Sequence, residues 1–219
     1  GRLATSTQRL STGMRVNGAA DDAAGLAIRE LQRADIAALQ QGARNANDAI
    51  SMIQTADGAL GVIDEKLVRL KELAEQAATG TYDSTQRLMI ESEYQQMCSE
   101  ITRIANATDF NGVKLLDGNL SSDTHDGSGM TSTGKIKIHF GTGNDKAEDY
   151  YYITIGSCTA SSLGVGNQCN PDLENSAYTV STQAAAQRAL VGINEAIVSK
   201  DNIRAHLGAL QNRFENTIT

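Results

Sequence analysis

The chain has 219 residues and a formal net charge of −7, from 19 Lys and Arg against 26 Asp and Glu, with a pI near 5.0. Its basic residues are scattered rather than gathered into a stripe, which argues against a nucleic-acid surface. Apolar residues make up 40% but aromatics only 4%, with no Trp and a single proline, Pro171. A core that cannot draw on aromatic bulk is better built as an elongated bundle packed with Leu, Ile and Ala, and no stretch approaches the ~18 unbroken apolar residues of a membrane span.

The first long helix is predicted over residues 20–76, a stretch without proline. Ala46, Ile50, Ile53, Leu60, Ile63, Leu67, Leu70, Ala74 and Ala77 recur at steps of three and four, the coiled-coil period, with Asp57 at one expected seam position. At 1.5 Å per residue such a helix would reach ~85 Å, the length of a structural rod. Gly25, Gly42, Gly58 and Gly61 lie within it, each at a cost of ~0.5–1 kcal/mol relative to Ala. They either admit close contact or mark breaks. Asp21 and Asp22 suit the positive end of the helix dipole.

Residues 79–84 carry turn chemistry, and Asp83 or Ser84 can cap a second helix whose seam reads Ile90, Tyr94, Met97, Ile101, Ile104 and Thr108. The short connection makes it fold back antiparallel on the first. It stops at Phe110-Asn111-Gly112, where Asn-Gly favours a tight turn. Residues 117–178 lose helical spacing. Residues 135–140 alternate polar and apolar, residues 141–149 turn, and residues 150–155 run on as a second β-rich segment. This is a β-hairpin with Ile136, Ile138 and Phe140 facing inward. Two strands alone are marginal, so the hairpin must pack on the helices. From about Ser181 a third helix returns with Leu190, Ile193, Ile197, Ile203, Leu207, Leu210, Phe214 and Ile218 on one face, interrupted once by Lys200. The fold class is therefore mainly α, an antiparallel bundle of three long helices with a small β-hairpin region.

Catalytic and metal constellations find no support. His125, His139 and His206 form no HxxxH or HExxH spacing, and Cys98, Cys158 and Cys169 form no CxxC. Cys158 and Cys169 flank ten residues of a Gly- and Ser-rich stretch. They either close a loop disulfide in an oxidising setting or stand as two thiols. Cys98 lies at helical spacing and reads as a small buried hydrophobe. Gly164-Val165-Gly166 lacks the rest of a dinucleotide fingerprint, no GxSxG elbow occurs, and Glu72 with Glu75 reads as a solvated helix face. Asn106-Ala107-Thr108 and Asn119-Leu120-Ser121 match the glycosylation acceptor pattern, which is short enough to arise by chance.

Four segments together resemble bacterial flagellin: LSTGMRVNGAADDAAGLAIRE (residues 10–30), the stretch ARNANDAISMIQTADGALGVIDEKLVRLKELAEQAATGTYD (43–83), DFNGVKLLDG (109–118) and LGALQNRFENTI (207–218). They cover well over half the chain, in order, on both sides of a variable middle. The resemblance implies a connecting segment over residues 1–19, a helical core over 20–120 and 179–219, and a hairpin and loop region over 121–178 packed on it. It implies a non-enzymatic structural subunit, without cofactor, secreted and assembled with other flagellin subunits into the flagellar filament. An export chaperone is the further expected partner of the full-length protein, and nucleic acid and membrane are not expected partners. The chain opens at Gly1 and stops at Thr219, close to the outermost matched motifs, so it reads as a fragment short of the terminal segments that drive polymerisation. A zinc protease, carried by some relatives in the middle region, is not expected without HExxH.

The same resemblance implies recognition by Toll-like receptor 5 of vertebrates. Its contact positions carry over to Arg69 and Leu73 in LVRLKEL and to Glu93 in ESEYQQM. Arg69 and Leu73 are four apart, hence neighbours on a helix face, and both lie off the Leu67, Leu70, Ala74 seam, which predicts exposure for each. The alternatives are a flagellar hook-filament junction protein, which shares the helical ends, and an intracellular coiled-coil scaffold, which shares the heptads alone.

Overall fold

The computed structural model describes residues 2–13, 22–128, 133–146, 148–172 and 176–218. The chain divides into two compact units, Gly1–Asn45 with His139–Tyr150 and Ala46–Ile138 with Tyr151–Thr219.

The first unit contains helix α1 (Arg2–Thr12) and the opening turns of α2 (Ala23–Ala78). Thr7 and Thr12 hydroxyls donate to the carbonyls of Leu3 and Gln8, four residues back. Asp22 precedes α2 and its carboxylate accepts the Gly25 N–H at 2.9 Å, the expected use of an acidic residue at the helix start; its companion Asp21 lies outside the described residues. Gly42 admits a close approach. A Cβ there would sit 2.1 Å from the carbonyl oxygen of Phe140. Next to it the Asn45 side-chain amide donates to the His139 carbonyl at 2.9 Å. The loop after His139 closes on itself, with the Phe140 and Gly141 N–H groups both donating to the Asp149 carbonyl.

The second unit holds the core. Along α2 the buried residues are Ala46, Ala49, Met52, Ile53, Ala56, Leu60, Ile63, Leu67, Leu70, Leu73, Ala74 and Ala77. This stripe is wider than the predicted seam because α2 serves two neighbours. Ion pairs tie it to α3 (Ser84–Ala107) through Arg69 and Glu93, and to α5 (Gln183–Ile218) through Asp64 and Lys200. A helix covered from two sides needs more than the strict heptad positions. Asp57 is not a break in the seam. Ala56, fully buried, holds that turn, while Asp57 turns aside and pairs with Arg204 at 2.6 Å. Gly58 and Gly61 have open space where a Cβ would stand, and α2 runs through both unbroken.

Helix α3 begins with a full capping box. Asp83 accepts the Gln86 N–H at 2.7 Å while the Gln86 side chain accepts the Asp83 N–H at 3.1 Å. Arg87 donates to the carbonyls of Ala77, Thr79 and Tyr82, tying the reversal together and setting α3 antiparallel to α2. Its buried face is Ile90, Tyr94, Cys98, Ile101 and Ala105, so Cys98 rather than Met97 occupies the core position. Strands β1 (Asp109–Phe110) and β2 (Val113–Lys114) then form a hairpin across Asn111 and Gly112, both at positive φ (51° and 81°), as an Asn-Gly turn requires.

A second small pair, β3 (His125–Asp126) with β4 (Thr133–Gly134), precedes the predicted hairpin of β5 (Ile136–His139) and β6 (Tyr150–Ile153). Ile136 and Ile138 pack against the core, as do the fully buried Ile153 and Ile155. The chain continues through α4 (Ala160–Leu163) and a 3-10 turn (Gly166–Gln168) into a strap that reaches α5. Polar side chains of α3 pin this strap. Tyr94 donates to the Ala177 carbonyl at 2.7 Å, Glu91 accepts the Val180 N–H at 2.6 Å, and Gln95 both donates to the Tyr178 carbonyl and accepts the Asn167 N–H.

On α5 the core contacts come from Ala186, Ala189, Ile193, Ala196, Leu207, Leu210 and Phe214, with Leu190, Ile197 and Ile203 half-buried against them. Ile218, expected on the buried face, is exposed instead at the end of the helix. Lys200 occupies its predicted place within the seam, 2% exposed. Cys98, Cys158 and Cys169 stand as free thiols in this structure. Cys158 is buried with its Sγ toward the Gly156 carbonyl, whereas Cys169 lies beyond α4 and the 3-10 turn, its Sγ 3.3 Å from the Ser176 hydroxyl. The intervening residues are folded into those turns rather than looped out.

Candidate functional site

Arg69 and Glu93 meet on the solvent side of α2 and α3. The antiparallel pairing started by the Asp83 cap sets them level, 24 residues apart in sequence. The Arg69 Nε and Nη2 atoms both donate to Glu93 Oε1, at 3.0 and 2.7 Å, and Nη1 donates to Glu72 Oε2 at 2.9 Å. The guanidinium is pushed above its ordinary pKa, first by the Glu93 hydrogen bonds and then by those of Glu72. It is a fixed cation held between two carboxylates. Arg69, Glu93 and Glu72 are 46, 44 and 60% exposed, so the three remain open to a partner.

Leu73 does not join them. Its side chain is 1% exposed and belongs to the core, which corrects the exposure predicted for it. The four-residue step from Arg69 would place it on the same face of an isolated helix, but the face of α2 that turns toward its neighbours extends past the strict seam and takes Leu73 in. Exposed apolar residues close in sequence to the ion pair lie on both helices, with Val68 beside Arg69 on α2 at 48% exposure. Met89, one turn before Glu93, is 68% exposed, and Leu88 beside it is also exposed. Single exposed apolar residues on a helix carry no sequence signal of their own.

Among the described residues the two buried thiols are held protonated. Burial pushes the Cys158 thiol up to about 12 and the Cys98 thiol further still, with Glu91 adding to the latter, so neither is a thiolate nucleophile near neutral pH. Among the described residues no group of three His, Cys, Asp or Glu could hold a metal ion, and no helix is long and apolar enough to cross a membrane. An open groove along α5 is lined by Val191, Asn194, Glu195, Val198, Ser199 and Asn202, a set without nucleophile-base geometry.

Long helices packed antiparallel through heptad seams, small hairpins, and polar groups spent on caps, straps and surface ion pairs define a structural helical module. Residues 2–121 match the family model described as the bacterial flagellin N-terminal helical region. The flagellar filament 33 kDa core protein of Treponema phagedenis is 36% identical over 211 residues, spanning 96% of this chain and 70% of that protein. Flagellin of Bacillus subtilis is 38% identical over 224 residues, spanning 96% of this chain and 72% of that one. The crystal structure of Bacillus cereus flagellin superposes with a TM-score of 0.61 at 27% identity, covering 80% of this chain and 87% of the other. A Vibrio parahaemolyticus structure described as hook-associated superposes with a TM-score of 0.64 at 16% identity and speaks to the fold alone. The chain belongs to the bacterial flagellin family. The intracellular scaffold alternative falls with that membership.

Proposed function

We propose that this chain is the core of a structural subunit of the bacterial flagellar filament, secreted through an export chaperone and assembled outside the cell with further copies of itself. The observation that carries the reading is the agreement between family membership and a core built on heptad seams, in which the polar groups serve caps, straps and ion pairs rather than chemistry. Repeated weak contacts between identical subunits suffice for a helical filament. Electron microscopy of the full-length protein tests it: long filaments are expected, and a cap or short junction ring would favour the hook-filament alternative instead. Residues 1–219 alone are expected to stay monomeric or weakly dimeric at micromolar concentration, and spontaneous filaments from them would overturn the need for terminal segments.

The second part of the proposal is recognition by Toll-like receptor 5 through Arg69 and Glu93, with Met89 supplying the apolar area once expected of Leu73. Support comes from the exposure of all three and from the pre-set geometry of the guanidinium, which loses little freedom on binding. Arg69→Ala should cost ~2 kcal/mol or more of receptor binding, on the usual hot-spot scale. Its effect on melting should be small, since exposed ion pairs contribute little to stability. Glu93→Ala should weaken binding less and in a salt-dependent way. Titration of the receptor ectodomain against the native chain and both variants decides it; equal affinities remove the site.

A further inference from the structure

The packing of α5 on α2 raises a question of register that the apolar core alone does not answer. Along α2, buried residues recur in two unbroken series of seven: Ala46, Ile53, Leu60, Leu67 and Ala74, and Ala49, Ala56, Ile63, Leu70 and Ala77. Sliding α5 by one heptad therefore sets apolar residues against apolar residues again. The degeneracy is that of a coiled coil without a polar marker.

The markers are present, and they are charged. Lys200, buried in the α5 seam, donates to Asp64 at 2.5 Å and pairs with Asp201 on its own helix at 2.7 Å. One turn on, Arg204 grips Asp57 with Nε and Nη2 at 2.6 and 3.1 Å. Asp57 and Asp64 are themselves one heptad apart, and the next positions in that series are Ile50 and Lys71. A slip in one direction would bring Lys200 to Asp57 but leave Arg204 beside Ile50. A slip in the other would bring Arg204 to Asp64 but drive buried Lys200 toward Lys71. Only the observed alignment pairs both bases.

We propose that Asp64–Lys200–Asp201 and Asp57–Arg204 form a register key, which selects one of several heptad-related alignments of α5 on α2 that the apolar seam would accept. The key contributes specificity rather than net stability, because a buried ion pair roughly offsets its own desolvation. Removing Lys200 exposes no orphan charge, since Asp64 and Asp201 are 38 and 59% exposed. Met matches the length of the lysine stem and can fill its place in the seam.

The test is a distance measurement by pulsed electron resonance on the full chain. Spin labels go on ketone-bearing residues at the exposed positions Gln54 and Val198, which leaves the native cysteines untouched. A one-heptad slip changes the axial separation by roughly 10 Å. The native chain should give one distance. Lys200→Met should keep the helix content and a melting temperature no lower than native while adding a displaced population, and Lys200→Met with Arg204→Gln should enlarge it. A single native distance in the double variant overturns the proposal. So does loss of helix content in both variants, because the pairs would then hold the fold together rather than choose its register.

Discussion

Tyr94 lies where the α3 core face meets the strap, and its two functions there separate by substitution. The ring is completely buried, among the largest such side chains in the unit, and its hydroxyl donates to the Ala177 carbonyl at 2.7 Å. That carbonyl also accepts the Gly166 N–H at 2.8 Å. Tyr94→Phe therefore removes one hydrogen bond but leaves the buried carbonyl with a partner, so the cost should be about 1 kcal/mol, the net worth of one such bond. Tyr94→Ala removes the ring and leaves a cavity between α3 and the strap, for which large aromatic truncations cost ~3–5 kcal/mol. Urea denaturation followed by circular dichroism measures both, with the midpoint shift read at an unchanged slope. Equal losses in the two variants, or a loss above ~3 kcal/mol in Tyr94→Phe, would refute the argument that packing dominates and that the carbonyl stays satisfied.

The buried thiols make the fold sensitive to alkali. Above pH 9.0, the ordinary thiol pKa, Cys98 and Cys158 ionise in the unfolded chain but remain protonated when folded, with Cys158 raised to about 12. The folded state then binds more protons, so stability falls as pH rises, by about 1.4 kcal/mol per pH unit for each thiol; Cys98→Ala with Cys158→Ala should flatten the slope between pH 9 and 11, and unchanged slopes would contradict the assignment. Gly42→Ala forces a methyl group into the Phe140 carbonyl and should cost ~1–3 kcal/mol, with faster amide exchange at Phe140 and Gly141. Gly58→Ala, with open space at its Cβ, should instead stabilise by ~0.5–1 kcal/mol, and similar melting shifts in these two variants would sink the close-approach argument. Leu67→Asp puts an unpaired charge at a fully buried position and should abolish cooperative thermal unfolding, which calorimetry checks directly.

Three helices, their approximate bounds, the Asn-Gly hairpin and the main β-hairpin are legible in the sequence because each rests on local rules. Apolar periodicity shows which face of a segment must leave water, whatever it meets there. Asp83 with Gln86 marks a helix start through groups only three residues apart. The family likeness is legible in the same way, since its motifs are contiguous.

What only the tertiary structure decided is where a residue at the edge of a stripe ends up and what a polar residue in a seam is for. Arg69 and Leu73 are equivalent by helical spacing, yet Arg69 faces solvent with Glu93 while Leu73 is buried, because the second neighbour of α2 widens its covered face. Cys158 and Cys169 are near in sequence, yet Cys158 is buried while Cys169 is half-buried with its Sγ beside the Ser176 hydroxyl. Asp57, Asp64, Lys200 and Arg204 read singly as interruptions, and become two ion pairs only once α5 lies along α2. Helical periodicity is a property of one segment and records which residues must be covered, whereas a partner more than a hundred residues away is set by which segments the folded chain brings side by side.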